Sequence, residues 1–161
     1  MAGMEFQARE EVELLCLFDT LEQAEAWQAE VTPRLLPLGN DADRFGPQFV
    51  VDAEGDFVSE DTRFYQGPSQ LALEEAVTRV HALGGLAIPA HIDRPAKGLL
   101  GVLGLWPAGL VVDAAELSPN LRPSGARERF PFLPALPLIG GSDAHWLDAI
   151  GGVLTIFVLD E

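Results

Sequence analysis

Asp143 and His145 stand two residues apart in the stretch Gly140-Gly141-Ser142-Asp143-Ala144-His145. The apolar run Leu136-Pro137-Leu138-Ile139 ahead of them predicts a buried strand, and the glycines predict a turn at its end. Just past a strand end is where α/β folds gather their chemistry. A carboxylate and an imidazole placed there make half of a metal site. Asp143 capping a following helix, with His145 packed beside it, accounts for the same pair without chemistry. His91 has an equivalent position: it closes Leu86-Ala87-Ile88-Pro89-Ala90-His91, a strand pattern that follows a helix pattern and two glycines. Asp93 is a further candidate for the site, and Arg94 would either meet an anion or pair with an acidic neighbour. Glu5 and Glu13 lie on the first two predicted strands. Nitrogen and carboxylate donors converging at one end of a barrel are what Zn, Mn or Fe require. Two or more such ions could clamp a phosphate and lower the pKa of a water between them.

The elements that must position these residues follow from periodicity. Gly3-Met4-Glu5-Phe6-Gln7 and Val12-Glu13-Leu14-Leu15-Cys16-Leu17-Phe18 predict two strands, the second apolar enough for burial on both faces of a parallel or mixed sheet. Glu13 is the exception in that run: inside a buried strand it needs a partner, a metal or an open barrel end, and at an exposed strand edge it needs none of these. Thr20 and Gln23 form a capping box for a helix whose inner face is Leu21, Ala24, Trp27, Val31 and Leu35. Pro33 limits it. Residues 37–68 break the pattern and are expected to be an insertion carrying a small hairpin over Phe49–Val58. A second helix is expected from Ser69 to Gly84-Gly85, with Leu73, Ala76, Val77, Val80 and Leu83 inward and His81 half-buried at the border. The helix-to-strand rhythm into His91 is that of a parallel sheet or barrel. A short apolar helix is expected after Gly98, and its glycines do not have the spacing of a nucleotide fingerprint. A strand is expected over Leu110–Ser118 with Glu116 near its end, a loop over Ser118–Arg129, a helical turn at Asp148–Gly151 and a last strand over Val153–Leu159.

The chain has 161 residues, nearly half of them hydrophobic, which is enough for one domain with a proper core. Its net charge of −15 and lack of a basic cluster argue against nucleic acid and anionic membranes as partners. A single cysteine, Cys16, permits no internal disulfide and fits a reducing compartment; a small buried core residue is the expectation there. No signal pattern or membrane-length apolar run is present, so a cytoplasmic protein is expected.

Taken together, Gly3-Met4-Glu5, Arg9-Glu10-Glu11-Val12-Glu13-Leu14-Leu15-Cys16-Leu17-Phe18-Asp19, Ala87-Ile88-Pro89-Ala90-His91-Ile92-Asp93-Arg94-Pro95 and Gly141-Ser142-Asp143-Ala144-His145 resemble the PHP family of polymerase and histidinol phosphatase domains. The order and spacing agree over nearly the whole chain. The resemblance implies a distorted seven-stranded β/α barrel that binds up to three metal ions at its strand ends, and phosphoesterase activity. It implies a bridging carboxylate at Glu5 and metal ligands at His91, Asp143 and His145. Asp143 or a histidine such as His145 would move the proton, and Arg94 would meet the substrate phosphate.

The departures from the family are specific. The His-x-His pair of the family's first strand, a histidine soon after it and another ahead of the glutamate have no counterpart here. The chain begins at about the family's third strand, and Glu13 stands where the family usually has histidine, offering oxygen in place of nitrogen. An incomplete barrel would leave an open side with unpaired edges, to be covered by the rest of a longer protein of which this chain is a fragment, by a second copy or by a partner chain. The expectation is a metal-dependent phosphoesterase acting on a small phosphorylated substrate. The competing reading is a PHP-like module that binds a metal or a partner without turnover, and a purely structural α/β domain is the third.

Overall fold

The computed structural model describes residues 1–158. Its first sheet has the order β1-β2-β5, built from β1 (Ala2–Gln7), β2 (Glu13–Phe18) and β5 (Leu86–Pro89). Both of its pairings are antiparallel, with Glu5 opposite Leu15 and Leu15 opposite Ile88. Burial on the central strand alternates: Leu14, Cys16 and Phe18 are fully buried, while Leu15 and Leu17 are half-buried. The sequence left a parallel or a mixed sheet open for the second strand; here it pairs antiparallel on both sides. The five apolar residues of β2, of mixed burial, look alike in either direction, and the direction of the partner is a long-range property.

Helix α1 (Leu21–Val31) starts at the expected capping box: the Thr20 hydroxyl accepts from the Gln23 N–H, and the Gln23 side chain accepts from the Thr20 N–H. Trp27, wholly buried, meets Phe6 of β1 edge-on at 5.3 Å between ring centres. A 3-10 turn at Thr32–Arg34 ends the element at Pro33. Residues 37–68 hold a short helix α2 (Ala42–Phe45) and the expected hairpin, β3 (Phe49–Val51) with β4 (Phe57–Glu60), whose residues are all exposed. Helix α3 (Leu73–Ala82) begins later than Ser69 because the Ser69 N–H donates to Gln7 and the Leu73 N–H to the Glu10 carboxylate. Leu73, Ala76, Val77 and Val80 face inward, and Gly84 at φ 74° ends the helix in the left-handed conformation that glycine tolerates. His81, on the border, pairs with Asp113 at 2.9 Å.

After β5 come α4 (Leu99–Leu103), β6 (Ala115–Leu117), α5 (Pro123–Arg129) and β7 (Leu138–Gly140). The strands β6 and β7 pair in parallel, with Glu116 opposite Ile139. Three expectations change here. The strand expected over Leu110–Ser118 contracts to Ala115–Leu117. The segment read as loop contains α5, which buries Ala126 alone and so shows no apolar stripe; Pro123 in its first turn was the one local signal. Residues 153–158 form no strand: Gly140 of β7 makes its hydrogen bonds with the Thr155 hydroxyl, and Leu154, Ile156, Phe157 and Val158 stay exposed. An apolar run becomes a strand only where a neighbour offers a ladder. Leu159, the last residue of that expectation, lies outside the described residues. The helical turn near Asp148 is present as a 3-10 turn at Leu147–Ala149. Among the described residues, no helix is long and apolar enough to cross a membrane.

Replacing Thr20 by Ala removes one bond of the capping box and is expected to destabilise the protein by about 1 kcal/mol. Urea unfolding would show this as a lower midpoint at unchanged slope.

Candidate metal centre

Register places the first two donors. Side chains alternate along a strand, so Glu5, directly opposite Leu15, shares one sheet face with Glu13, two residues before Leu15 at the start of β2. Because β2 runs antiparallel to both neighbours, its first residue lies beside the last residues of β1 and β5. The Ala90 N–H donates to the Glu13 carbonyl, which carries the ladder one step past β5 and delivers His91 to the same corner. His91 takes φ 29°, a left-handed value that is rare for a non-glycine residue; here it accompanies the turn that follows β5.

The three side chains converge. His91 Nε2 lies 3.0 Å from Glu13 Oε2 and 3.8 Å from Glu5 Oε1. One ligand atom from each falls within 4.8 Å of the others. Donors sharing an ion at 2.0–2.2 Å sit about 3 to 4 Å apart, so the spacing fits a single divalent ion, and two carboxylates with one imidazole suit Zn, Mn or Fe. Glu13 and His91 are buried, whereas the Glu5 side chain is 42% exposed and keeps the corner open to solvent. His91 Nδ1 is buried without a hydrogen-bond partner among the described residues, so the ring makes its polar contacts through Nε2.

The other expected residues form an adjoining layer. Arg94 Nη2 lies 2.5 Å from Asp143 Oδ2, off the angle of a hydrogen bond, and His145 Nε2 lies 3.4 Å from Asp143 Oδ1. Asp143 sits at φ 45°, a second left-handed residue just past a strand, with its side chain largely buried. The His145 side chain is 71% exposed. It lines a cleft of about 500 Å³ with Glu5, Glu13, Lys97 and Tyr65. Thus Glu5, Glu13 and His91 meet directly, while Asp143, His145 and Arg94 stand beside them as a linked set. Asp93 turns away from the centre: its carboxylate accepts from the Ser118 N–H and hydroxyl at 2.7 and 2.6 Å.

Two residues were not singled out for the site from the sequence. Lys97 Nζ donates to Glu13 Oε1 at 2.5 Å, and its carbonyl accepts from the Glu13 N–H at 2.9 Å. Glu116, buried, joins the two sheets: its carboxylate accepts from the His91 N–H and its carbonyl from the Ile92 N–H. Its position near a strand end was the signal for Glu116; Lys97 lies in a polar turn and had none.

The electrostatics follow from the packing. Burial raises the pKa of Glu13, but hydrogen bonds from His91 and Lys97 outweigh it and leave the carboxyl below its ordinary range. Burial lowers the pKa of His91, yet the bond to Glu13 and the charges of Glu13 and Glu5 prevail and leave it above its ordinary value. Burial, reinforced by the Glu13 charge, raises Glu5, and burial raises Glu116. Away from the site, burial pushes the Cys16 thiol up to about 12, as befits a core residue.

No family model matches the chain, and no curated protein does. Among solved structures it is similar in fold to the lesion-specific endonuclease PfuEndoQ from Pyrococcus furiosus, at 19% identity and a TM-score of 0.57. The match covers 89% of this chain and 30% of that one, so the chain spans less than a third of that protein's length.

The shifts set a pH dependence for the metal-free protein. Glu13 contributes above its ordinary range and loses its contribution as pH falls through its lowered pKa. His91 contributes fully below its ordinary value and loses its contribution as pH rises through its raised pKa. Glu5 and Glu116 hold their protons longer in the fold, so their ionisation also costs stability as pH rises. In chelator, the urea midpoint is expected to fall between about pH 6 and about pH 8; a midpoint that rises over this range would contradict the pairing.

Proposed function

We propose that this chain is a metal-dependent phosphoesterase of the PHP type, acting on a small phosphate ester. The convergence of Glu5, Glu13 and His91 on one corner carries the reading. The motif resemblance and the fold shared with an endonuclease, a class of enzyme that cleaves phosphate esters, support it. A divalent ion held there would supply Lewis acidity toward a phosphoryl oxygen and lower the pKa of its water.

The chain's own residues do the rest. Glu5, Glu13 and His91 would hold the ion, and Lys97, bonded to Glu13 Oε1, would leave Oε2 turned toward it. Asp143 Oδ1 lies against His145 Nε2 and orients the exposed ring, which lines the cleft and takes or returns a proton there through its other nitrogen, Nδ1. Arg94, whose side chain is 40% exposed beside Asp143, meets the phosphate oxygens. The net charge of −15 disfavours a polyanionic substrate, and the cleft has room for a small ester. The competing reading, a module that binds metal without turnover, draws on one observation: Asp143 and His145 lie beside the three converging donors and not among them.

Metal analysis of protein purified without chelator is expected to find Zn, Mn or Fe, and His91→Ala or Glu13→Ala to lose it at least about tenfold. Hydrolysis of p-nitrophenyl phosphate or its bis ester decides between the readings. Turnover that falls by about a hundredfold or more in Asp143→Ala, with the metal retained, supports the enzyme. Bound metal with no turnover on either ester supports the binding module.

A further inference from the structure

We infer that the centre holds one metal ion and no more, because two cations of the chain itself, Lys97 and Arg94, are seated on the carboxylate oxygens that a second ion would need. The inference rests on the metal-binding reading above and adds the number of ions and what limits it.

The donors divide cleanly. Glu5 Oε1, Glu13 Oε2 and His91 Nε2 face one another and suffice for one ion with solvent completing its shell. Glu13 Oε1, the oxygen on the other side of that carboxylate, is taken by the Lys97 ammonium at 2.5 Å. Asp143 Oδ2 is taken by the Arg94 guanidinium, also at 2.5 Å, which leaves only Oδ1 with the exposed His145. A second ion at Asp143 would have to displace the guanidinium, and one bridging through Glu13 Oε1 would have to displace the ammonium. Either would also sit close to a like charge, at a distance where repulsion is strong in a partly buried site.

The ammonium is placed by the backbone. Lys97 is tied to Glu13 at both ends, by its side chain and by its carbonyl, and it adopts φ 64°. Gly98, next to it, has no room for a Cβ, which would lie 2.6 Å from the carbonyl oxygens of both His91 and Arg94. The turn from His91 to Gly98 therefore carries the histidine donor and both cations on one tightly packed piece of chain. Lys97 is accordingly a positioning residue: it leaves Oε2 as the oxygen of Glu13 that faces His91 and Glu5.

The test is the number of ions bound. The full chain, stripped with chelator and dialysed, is titrated with Mn²⁺ and followed by calorimetry and by electron paramagnetic resonance. The wild type is expected to take one Mn²⁺ with a magnetically uncoupled spectrum. Arg94→Met, and the double variant Arg94→Met with Lys97→Met, are expected to take a second ion, with a spectrum broadened by coupling between the two. Circular dichroism establishes that each variant is folded, and the wild-type stoichiometry alone is decisive if the double variant is not. Two or more ions in the wild type overturn the inference while leaving the metal reading intact. Folded variants that gain no second ion overturn it too. A wild type that binds neither Mn²⁺ nor Zn²⁺ overturns the metal reading itself, and the inference with it.

Discussion

A carboxylate buried at the start of the central strand is the constraint around which this structure is arranged. Taking Glu13 out of water costs several kcal/mol unless its oxygens are matched. Both are matched, one by the His91 imidazole and the other by the Lys97 ammonium. Those partners come from the far side of the chain in sequence, so satisfying one charge ties β2 to the turn after β5. The same contacts give Glu13 and His91 opposite pKa displacements, each holding the other in its charged form. This is a polar network in which every pairing also sets an orientation, the condition under which a buried charge contributes specificity.

The direction of β2 makes the meeting possible. Were β2 parallel to its neighbours, its first residue would lie at the opposite end of the sheet from His91. Run antiparallel, it brings Glu13 to the ends of β1 and β5, and the register sets Glu5 on the same face. A slip of one residue would turn Glu5 into the core and Phe6 out of it. Phe6 is pinned against Trp27, so the aromatic packing on one face of the sheet holds the register that the polar corner on the other face requires.

A second sheet completes the neighbourhood through Glu116. Its carboxylate and carbonyl accept two successive N–H groups, from His91 and Ile92, and Asp93 returns the connection by accepting from Ser118. The loop after β7 is thereby held beside the turn after β5, and Asp143 reaches Arg94. Acidic residues outnumber Lys and Arg by 25 to 10, yet at this corner each of the most buried carboxylates is met by a cation or an N–H. The balance that results, three donors free to converge and two cations already seated, shapes both the proposed chemistry and its proposed limit.

Local physics was legible in the residues. The Thr20–Gln23 capping box, the apolar stripe of the helix ending at Gly84, the Phe49–Val58 hairpin and the placement of His91 at a strand end all depend on contacts within a few residues. Glu5, Glu13, His91, Asp143 and His145 stood out by residue type and place; the structure brings the first three together and sets Asp143 and His145 beside them. What only the tertiary structure decided was pairing: that β2 runs antiparallel, that Glu13 is buried and matched, that Lys97 and Arg94 sit on Glu13 and Asp143, and that residues 153–158 find no ladder. Strand direction and charge partners are settled between residues as far apart in the chain as Glu5 and His91. Periodicity and capping report the conformation of a segment; its neighbour is chosen by the free energy of the whole fold.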